Sequence, residues 1–129
     1  MNITTFVRLG RRFPMFLRLA HFIFHCDISP RAHIGRKVTF CHNGLGVVIG
    51  GTTAINDNCM IYPFTLFGTK NGYPVLEEGV TVYPHSVIVG PVRIGKNAVI
   101  GACSFVDKDV PPHSIVYTKK ELVVKKAKA

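Results

Sequence analysis

Residues 91–110 read PVRIGKNAVIGACSFVDKDV, and the spacing of their apolar side chains decides the fold. Ile94, Ile100 and Val106 stand six residues apart, and Val92, Ala98 and Ser104 precede them by two. Residues two apart on an extended chain share a face, so the large and the small set both point inward. A helix would space its apolar residues at 3.6, and this stretch does not. Glycine follows the large residue at Gly95 and Gly101, where a corner is expected to use backbone angles that other residues resist.

The same six-residue period extends toward the N-terminus. Large residues continue at Leu76, Val82 and Ile88, at Ile49, Ile55, Ile61 and Phe67, and at Ile28, Ile34 and Phe40. Two positions before each stands a residue that is small or β-branched at every hexad except Pro74. A short fixed period of this kind marks a repeat architecture in which each unit buries its apolar face only against its neighbours. Very short parallel strands joined by tight turns, coiling around one narrow core, satisfy it: an all-β solenoid.

Both ends of such a stack need covering. Phe13–Phe24 (FPMFLRLAHFIF) is apolar, but Arg18 and His21 interrupt it, and it falls short of the ~20 apolar residues of a membrane span. Pro14 suits a first helical turn, and Phe16, Leu19, Ala20 and Ile23 recur at helical spacing. Residues 1–26 are therefore read as an N-terminal helical cap, 27–114 as the β-helix and 115–129 as a basic tail. Arg8, Arg11, Arg12 and Arg18 also equip the helix for peripheral contact with a membrane surface.

Sixteen Lys and Arg against seven Asp and Glu give a formal charge of +9, which favours an anionic partner. No helix-turn-helix, zinc-finger or RNA-binding signature is present, so nucleic acid is not the expected partner. Four cysteines without a CxxC pair point to reduced thiols and a cytoplasmic protein, peripheral at most to the inner membrane surface. Cys26, Cys59 and Cys103 read as small buried hydrophobes.

The period slips by three residues twice, between Phe40 and Ile49 and between Phe67 and Leu76. Insertions in a stacked repeat become outward loops, often at the binding face. The first contains Cys41-His42-Asn43-Gly44, the second Thr69-Lys70-Asn71-Gly72-Tyr73-Pro74.

These hexads resemble the hexapeptide-repeat, left-handed β-helix family, whose repeat is an aliphatic residue, glycine and four variable positions. The resemblance implies three hexads per triangular coil, hence a left-handed parallel β-helix of about four coils. That hand opposes the usual rule for parallel crossovers, so the resemblance alone supplies it. Asp27–Gly50 (DISPRAHIGRKVTFCHNGLGVVIG) is further similar to the segment around the catalytic histidine of serine O-acetyltransferases, with Asp27 and His42 fifteen residues apart. Residues 65–69 (TLFGT), 87–90 (VIVG) and 93–114 (RIGKNAVIGACSFVDKDVPPHS) follow the same pattern. The resemblance implies that His42 is the general base removing the acceptor hydroxyl's proton as it attacks acetyl-CoA, a task suited to imidazole. It implies that Asp27 fixes the ring, as a triad aspartate does. Coenzyme A would lie in a groove between parallel prisms of a homotrimer with active sites at subunit interfaces, beside Gly68, Thr69, His85, Ala102 and Lys108. No metal is implied; His33 and His85 would have to converge on His42 to build such a site.

Serine enzymes also have an Asp directly before the catalytic His and an Arg-His pair in the later loop. Cys41 and Gly72-Tyr73 stand there instead. An amino-acid acceptor would then lose its counter-charges, at a cost of several kcal/mol in a closed site. The expected acceptor is therefore a neutral hydroxyl, a sugar of a cell-surface polysaccharide precursor, met by Cys41, Asn43, Asn71 and Tyr73. Serine is the alternative acceptor. A non-catalytic β-helix assembly subunit is a rival of another class, since Pro84-His85 replaces a small corner and the end after His113 departs from the family.

Overall fold

The computed structural model describes residues 2–128. Helices α1 (Ile3–Gly10) and α2 (Met15–Phe24) precede fourteen short parallel strands on three faces. Face A stacks β1 (Asp27–Ile28), β4 (Val48–Ile49), β7 (Leu66–Gly68), β10 (Val87–Val89) and β13 (Phe105–Val106). Face B stacks β2 (His33–Ile34), β5 (Ala54–Ile55), β8 (Val75–Leu76) and β11 (Arg93–Ile94). Face C stacks β3 (Thr39–Phe40), β6 (Met60–Ile61), β9 (Thr81–Val82), β12 (Val99–Ile100) and β14 (Ile115–Val116). The chain visits the faces in the order A, B, C, so three hexads complete one turn. Four full turns result, and β13, a bridge from Val110 to Ile94, and β14 continue past them. Ile115–Val116 thus pairs with Val99–Ile100 beyond residue 114, the end assigned to the solenoid from sequence.

All thirteen large hexad residues are buried, and the ladders pair like with like: Ile28 with Ile49, Ile49 with Phe67, Phe67 with Ile88, Ile88 with Val106. The small positions are buried too, except half-buried Ala32. Several carry a hydroxyl, which the corner satisfies three residues back. Thr53 Oγ1 donates to the Gly50 carbonyl at 2.7 Å and Ser104 Oγ to that of Gly101 at 2.7 Å. Thr65 does the same to Tyr62, and Ser86 Oγ donates to the Gly101 carbonyl of the next coil at 2.9 Å, so each of these buried hydroxyls has a partner.

The corner glycines hold a different reason from the one the sequence suggested. Left-handed angles fall instead on non-glycine residues such as Lys37, Asn58, Phe64, His85, Asn97 and Cys103, each three places after a large hexad residue. Gly95 and Gly101 are not in that region. What they provide is space: a Cβ on Gly95 would lie 2.4 Å from the Pro112 nitrogen, and one on Gly101 2.9 Å from the Val116 carbonyl oxygen. The next coil crosses directly over them.

Helices α1 and α2 cover the first coil. Ile3, Phe6, Val7 and Ala20 are buried, and Phe6 meets Phe16 and Phe24 edge-on at 6.2 and 5.3 Å. The buried side of α2 differs from the expected one: Phe16, Leu17, Ala20 and Phe24 pack inward, whereas Leu19 and Ile23 lie exposed beside Met15 and Phe22. Arrival of α1 on the far side fixes that rotation, and sequence reasoning did not place α1. Among the described residues no helix is long and apolar enough to cross a membrane.

Between faces B and C a polar ladder climbs the corner. Arg36 pairs with Asp57 at 3.3 Å, Arg93 with Glu77 at 2.7 Å and Lys96 with Glu78 at 3.2 Å. The Arg36 backbone N–H holds the Asp57 carboxyl below its ordinary range; the Arg93 side chain does so for Glu77, and Lys96 for Glu78. Depressed carboxylate values contribute stability above the unfolded range near ~4 and lose it as pH falls through the folded values. Melting temperature should therefore hold from neutrality to about pH 5 and fall below about pH 4. A scan that found greater stability at pH 3 than at pH 6 would reverse the sign.

Two substitutions test the core. Ile94→Ala should cost ~2–5 kcal/mol in denaturant unfolding, because a narrow core cannot collapse onto the cavity. Gly95→Ala should cost ~1–3 kcal/mol despite its ordinary backbone angles. Near-neutral results at both would mean that the coils do not cross where described.

Candidate active site

Both insertions border face A. The first leaves at the corner between faces C and A, the second at the corner between A and B. Residues 41–44 form a tight turn in which His42 and Asn43 both adopt left-handed angles, φ 51° and 54°. Two consecutive non-glycine residues there are costly and persist where the surroundings impose them, often at functional sites. The surroundings are visible: Gly44 is buried against Ile3 of α1, and Leu45 N–H donates to the His42 carbonyl at 3.3 Å. The turn thus holds the His42 side chain out in solvent.

The loop then rejoins the prism beside β1. Gly46 N–H donates to the His25 carbonyl at 2.9 Å and Asp27 N–H to the Val47 carbonyl at 2.8 Å. Asp27 points outward at the foot of face A and is exposed. Among the described residues no hydrogen bond joins Asp27 to His42; both side chains face solvent from neighbouring segments. Catalytic hydrogen bonds often tighten only when substrate is bound.

The other residues singled out from sequence flank the same face. Above the His42 loop, Phe64 N–H donates to the Leu45 carbonyl at 2.9 Å, and Cys103 N–H to that of Pro84 at 2.9 Å. These bonds stack Phe64, His85 and Cys103 along one corner. The His85 ring lies flat on Phe64, 5.0 Å between centroids at 8°. Ala102 is exposed at this corner, and its N–H has no intramolecular acceptor among the described residues. Gly68, Thr69, Asn71, Tyr73 and Lys108 occupy the opposite border, where Lys70 pairs with Asp107 at 3.4 Å. Between the borders runs an outward row in ladder register: Asp27, Val48, Leu66, Val87 and Phe105. Above Asp27 it is wholly apolar.

Two expectations change. The Tyr73 ring is half-buried over the Gly50–Gly51 corner, where a Cβ on Gly51 would lie 2.1 Å from Tyr73 Cζ. One face of the ring is thus occupied by backbone and is not free to stack on a sugar. Cys103 is exposed rather than buried, because the inward position of its hexad belongs to Ser104. His33 projects from face B, on another side of the prism from the His42 loop.

Two residues at this site were read from sequence in other terms, Arg18 as a membrane-facing charge and His21 as an interruption of the apolar helix. Arg18 and His21 of α2, with Pro14 and Leu17, form one wall of a cavity of about 350 Å³ whose other wall is Asp27, Ile28 and Pro30. Only their spacing of three on a helix hinted that they share a side.

Fold and face together define a parallel β-solenoid with a histidine-bearing loop beside an outward apolar row. Residues 73–108 match the bacterial transferase hexapeptide (six repeats) family. The prism has the left-handed β-helix fold of the hexapeptide-repeat proteins. It is 38% identical to a Bacillus pumilus serine acetyltransferase over 77% of this chain and 48% of that protein. With an Escherichia coli serine acetyltransferase the identity is 41%, over 70% and 35%. A Vibrio cholerae serine acetyltransferase structure superposes with a TM-score of 0.83 at 28% identity, covering 90% of this chain and 50% of that one. Another serine acetyltransferase, solved in complex with CoA, gives 0.78 at 30% identity over 88% and 51%. The chain spans a third to a half of the length of these curated relatives.

Burial pushes the thiols of Cys26 and Cys59 up to about 11, which keeps them protonated and unreactive. Iodoacetamide at pH 8 should label exposed Cys103 in the folded protein and spare Cys26 and Cys59 until denaturant is added. Equal labelling of Cys59 and Cys103 in the native state would contradict the inward register.

Proposed function

We propose that this chain is an acetyl-CoA-dependent O-acetyltransferase whose acceptor is serine or a closely similar hydroxy amino acid. The observation that carries the reading is identity of 38–41% to serine acetyltransferases, in a chain that places His42 on an exposed loop beside Asp27. The relatives favour serine over the polysaccharide sugar that the missing counter-charges suggested.

In the proposed step, His42 accepts the acceptor hydroxyl's proton while the oxygen attacks the thioester carbonyl. The tetrahedral intermediate collapses by breaking the carbon–sulfur bond, and the imidazolium returns the proton to the departing thiol. Asp27 orients the ring once substrate draws the two groups together. The unpaired Ala102 N–H suits an amide contact with the pantetheine arm, and Lys108 suits the phosphates. The apolar row of face A supports a homotrimer in which a second prism covers this flank and each site lies between subunits. In the same reading, Met15, Leu19, Phe22 and Ile23 with Arg11 and Arg12 serve peripheral contact with a bilayer. Sedimentation with anionic vesicles checks that contact.

A neutral saccharide acceptor is the second reading, favoured by Cys41 and Gly72 where serine enzymes carry charge. The two readings separate in one competition: purified protein, acetyl-CoA, equal serine and a panel of sugars, with products identified by mass. O-Acetylserine should dominate; sugar esters alone would promote the second reading. His42→Ala should lower turnover by roughly 10²–10⁴ with melting temperature nearly unchanged, because the side chain is exposed and leaves no core cavity. Retention of more than about a tenth of turnover would remove His42 from the mechanism.

A further inference from the structure

The Gly72-Tyr73 loop leaves an amino-acid acceptor without a cation for its carboxylate, and the cavity at the foot of face A contains one. We propose that Arg18, with His21 beside it, binds the carboxylate of the acceptor and thereby sets specificity; this rests on the reading of the chain as an acetyltransferase of hydroxy amino acids. Arg18 and His21 stand three apart on α2, so they are neighbours on its exposed surface. They line the same cavity as Asp27, the residue beside which the His42 loop rejoins the prism. Its volume of about 350 Å³ falls within the ~300–1,000 Å³ typical of small-molecule sites.

The charges in this cavity are uncommitted. Asp57, Glu77, Glu78 and Asp107 each pair with Arg or Lys, but among the described residues neither Arg18 nor His21 forms an ion pair with Asp27. Two potential cations and one carboxylate converge on a space walled by Pro14, Leu17, Ile28 and Pro30 without neutralising one another. Such an arrangement favours a ligand that itself carries both signs. A guanidinium can grip a carboxylate through two parallel hydrogen bonds, giving orientation as well as attraction. Ala20 and Phe24 pack α2 on the core of the prism and on α1, so the helix presents Arg18 from a fixed support. The cation that serine enzymes place in the later loop would here come from the helix before the first strand.

The test compares L-serine with L-serinamide, which keeps the hydroxyl and the ammonium and lacks the carboxylate charge. Wild-type protein should prefer serine in kcat/KM, and Arg18→Gln should lower the serine-to-serinamide preference by about tenfold or more, chiefly through KM. Arg18→Lys should restore part of it, and His21→Asn should lower it less. Arg18 is exposed, so all three variants should melt near the wild type; calorimetric titration with L-serine reads binding independently of turnover. If wild type acetylates serine and Arg18→Gln keeps both its KM and its preference, the carboxylate assignment is wrong while the activity stands. If no acceptor is acetylated by wild type, the activity itself is wrong, and loss of serine binding in Arg18→Gln would still place the carboxylate at this helix.

Discussion

Each large residue of this prism must sit directly over the one a coil below, because each face contributes only one large and one small inward side chain per coil. Eighteen residues separate stacked partners such as Ile88 and Val106, and twenty-one separate Ile28 and Ile49, where an insertion intervenes. The ladder bonds are made only when that stacking is kept, so a one-residue slip would turn every inward side chain to solvent. The constraint leaves the interior no freedom for function. Variation is confined to the corners and to insertions whose length preserves the register on return.

The two three-residue insertions show how that freedom is used. Each departs from one border of face A and rejoins in register, so the apolar row between them is undisturbed from Val48 to Phe105. The His42 turn is held by elements on both sides: α1 presses Ile3 against Gly44, and β1 receives the loop through the His25 carbonyl. The capping helices therefore have two tasks. They close the end of the core, and they hold the His42 turn beside it.

Much of the fold was legible because one physical rule repeats at every coil. The thirteen large inward residues are visible as a period of six, and the loops as breaks in that period. Less legible was anything decided by contact between distant segments. The rotation of α2 depends on α1, whose Ile3, Phe6 and Val7 stand at helical spacing that the reading of Phe13–Phe24 alone did not include. The glycines at Gly95 and Gly101 looked like conformational hinges, yet the passage of Pro112 and Val116 overhead explains them. Tyr73 looked free for a ligand until its ring was found resting on Gly51. His42 and Asp27 were singled out by the resemblance to serine O-acetyltransferases, whereas Arg18 and His21 share a cavity with Asp27 only because α2 packs beside β1.

The account depends on face A and its borders being where the acyl donor meets the acceptor. A crystal structure of the protein with coenzyme A and L-serine bound tests this directly. The account places the serine hydroxyl within about 3.2 Å of the His42 ring, with the coenzyme thiol close by and the pantetheine arm passing Ala102. Coenzyme A bound along face B or C, away from the His42 loop, would contradict it.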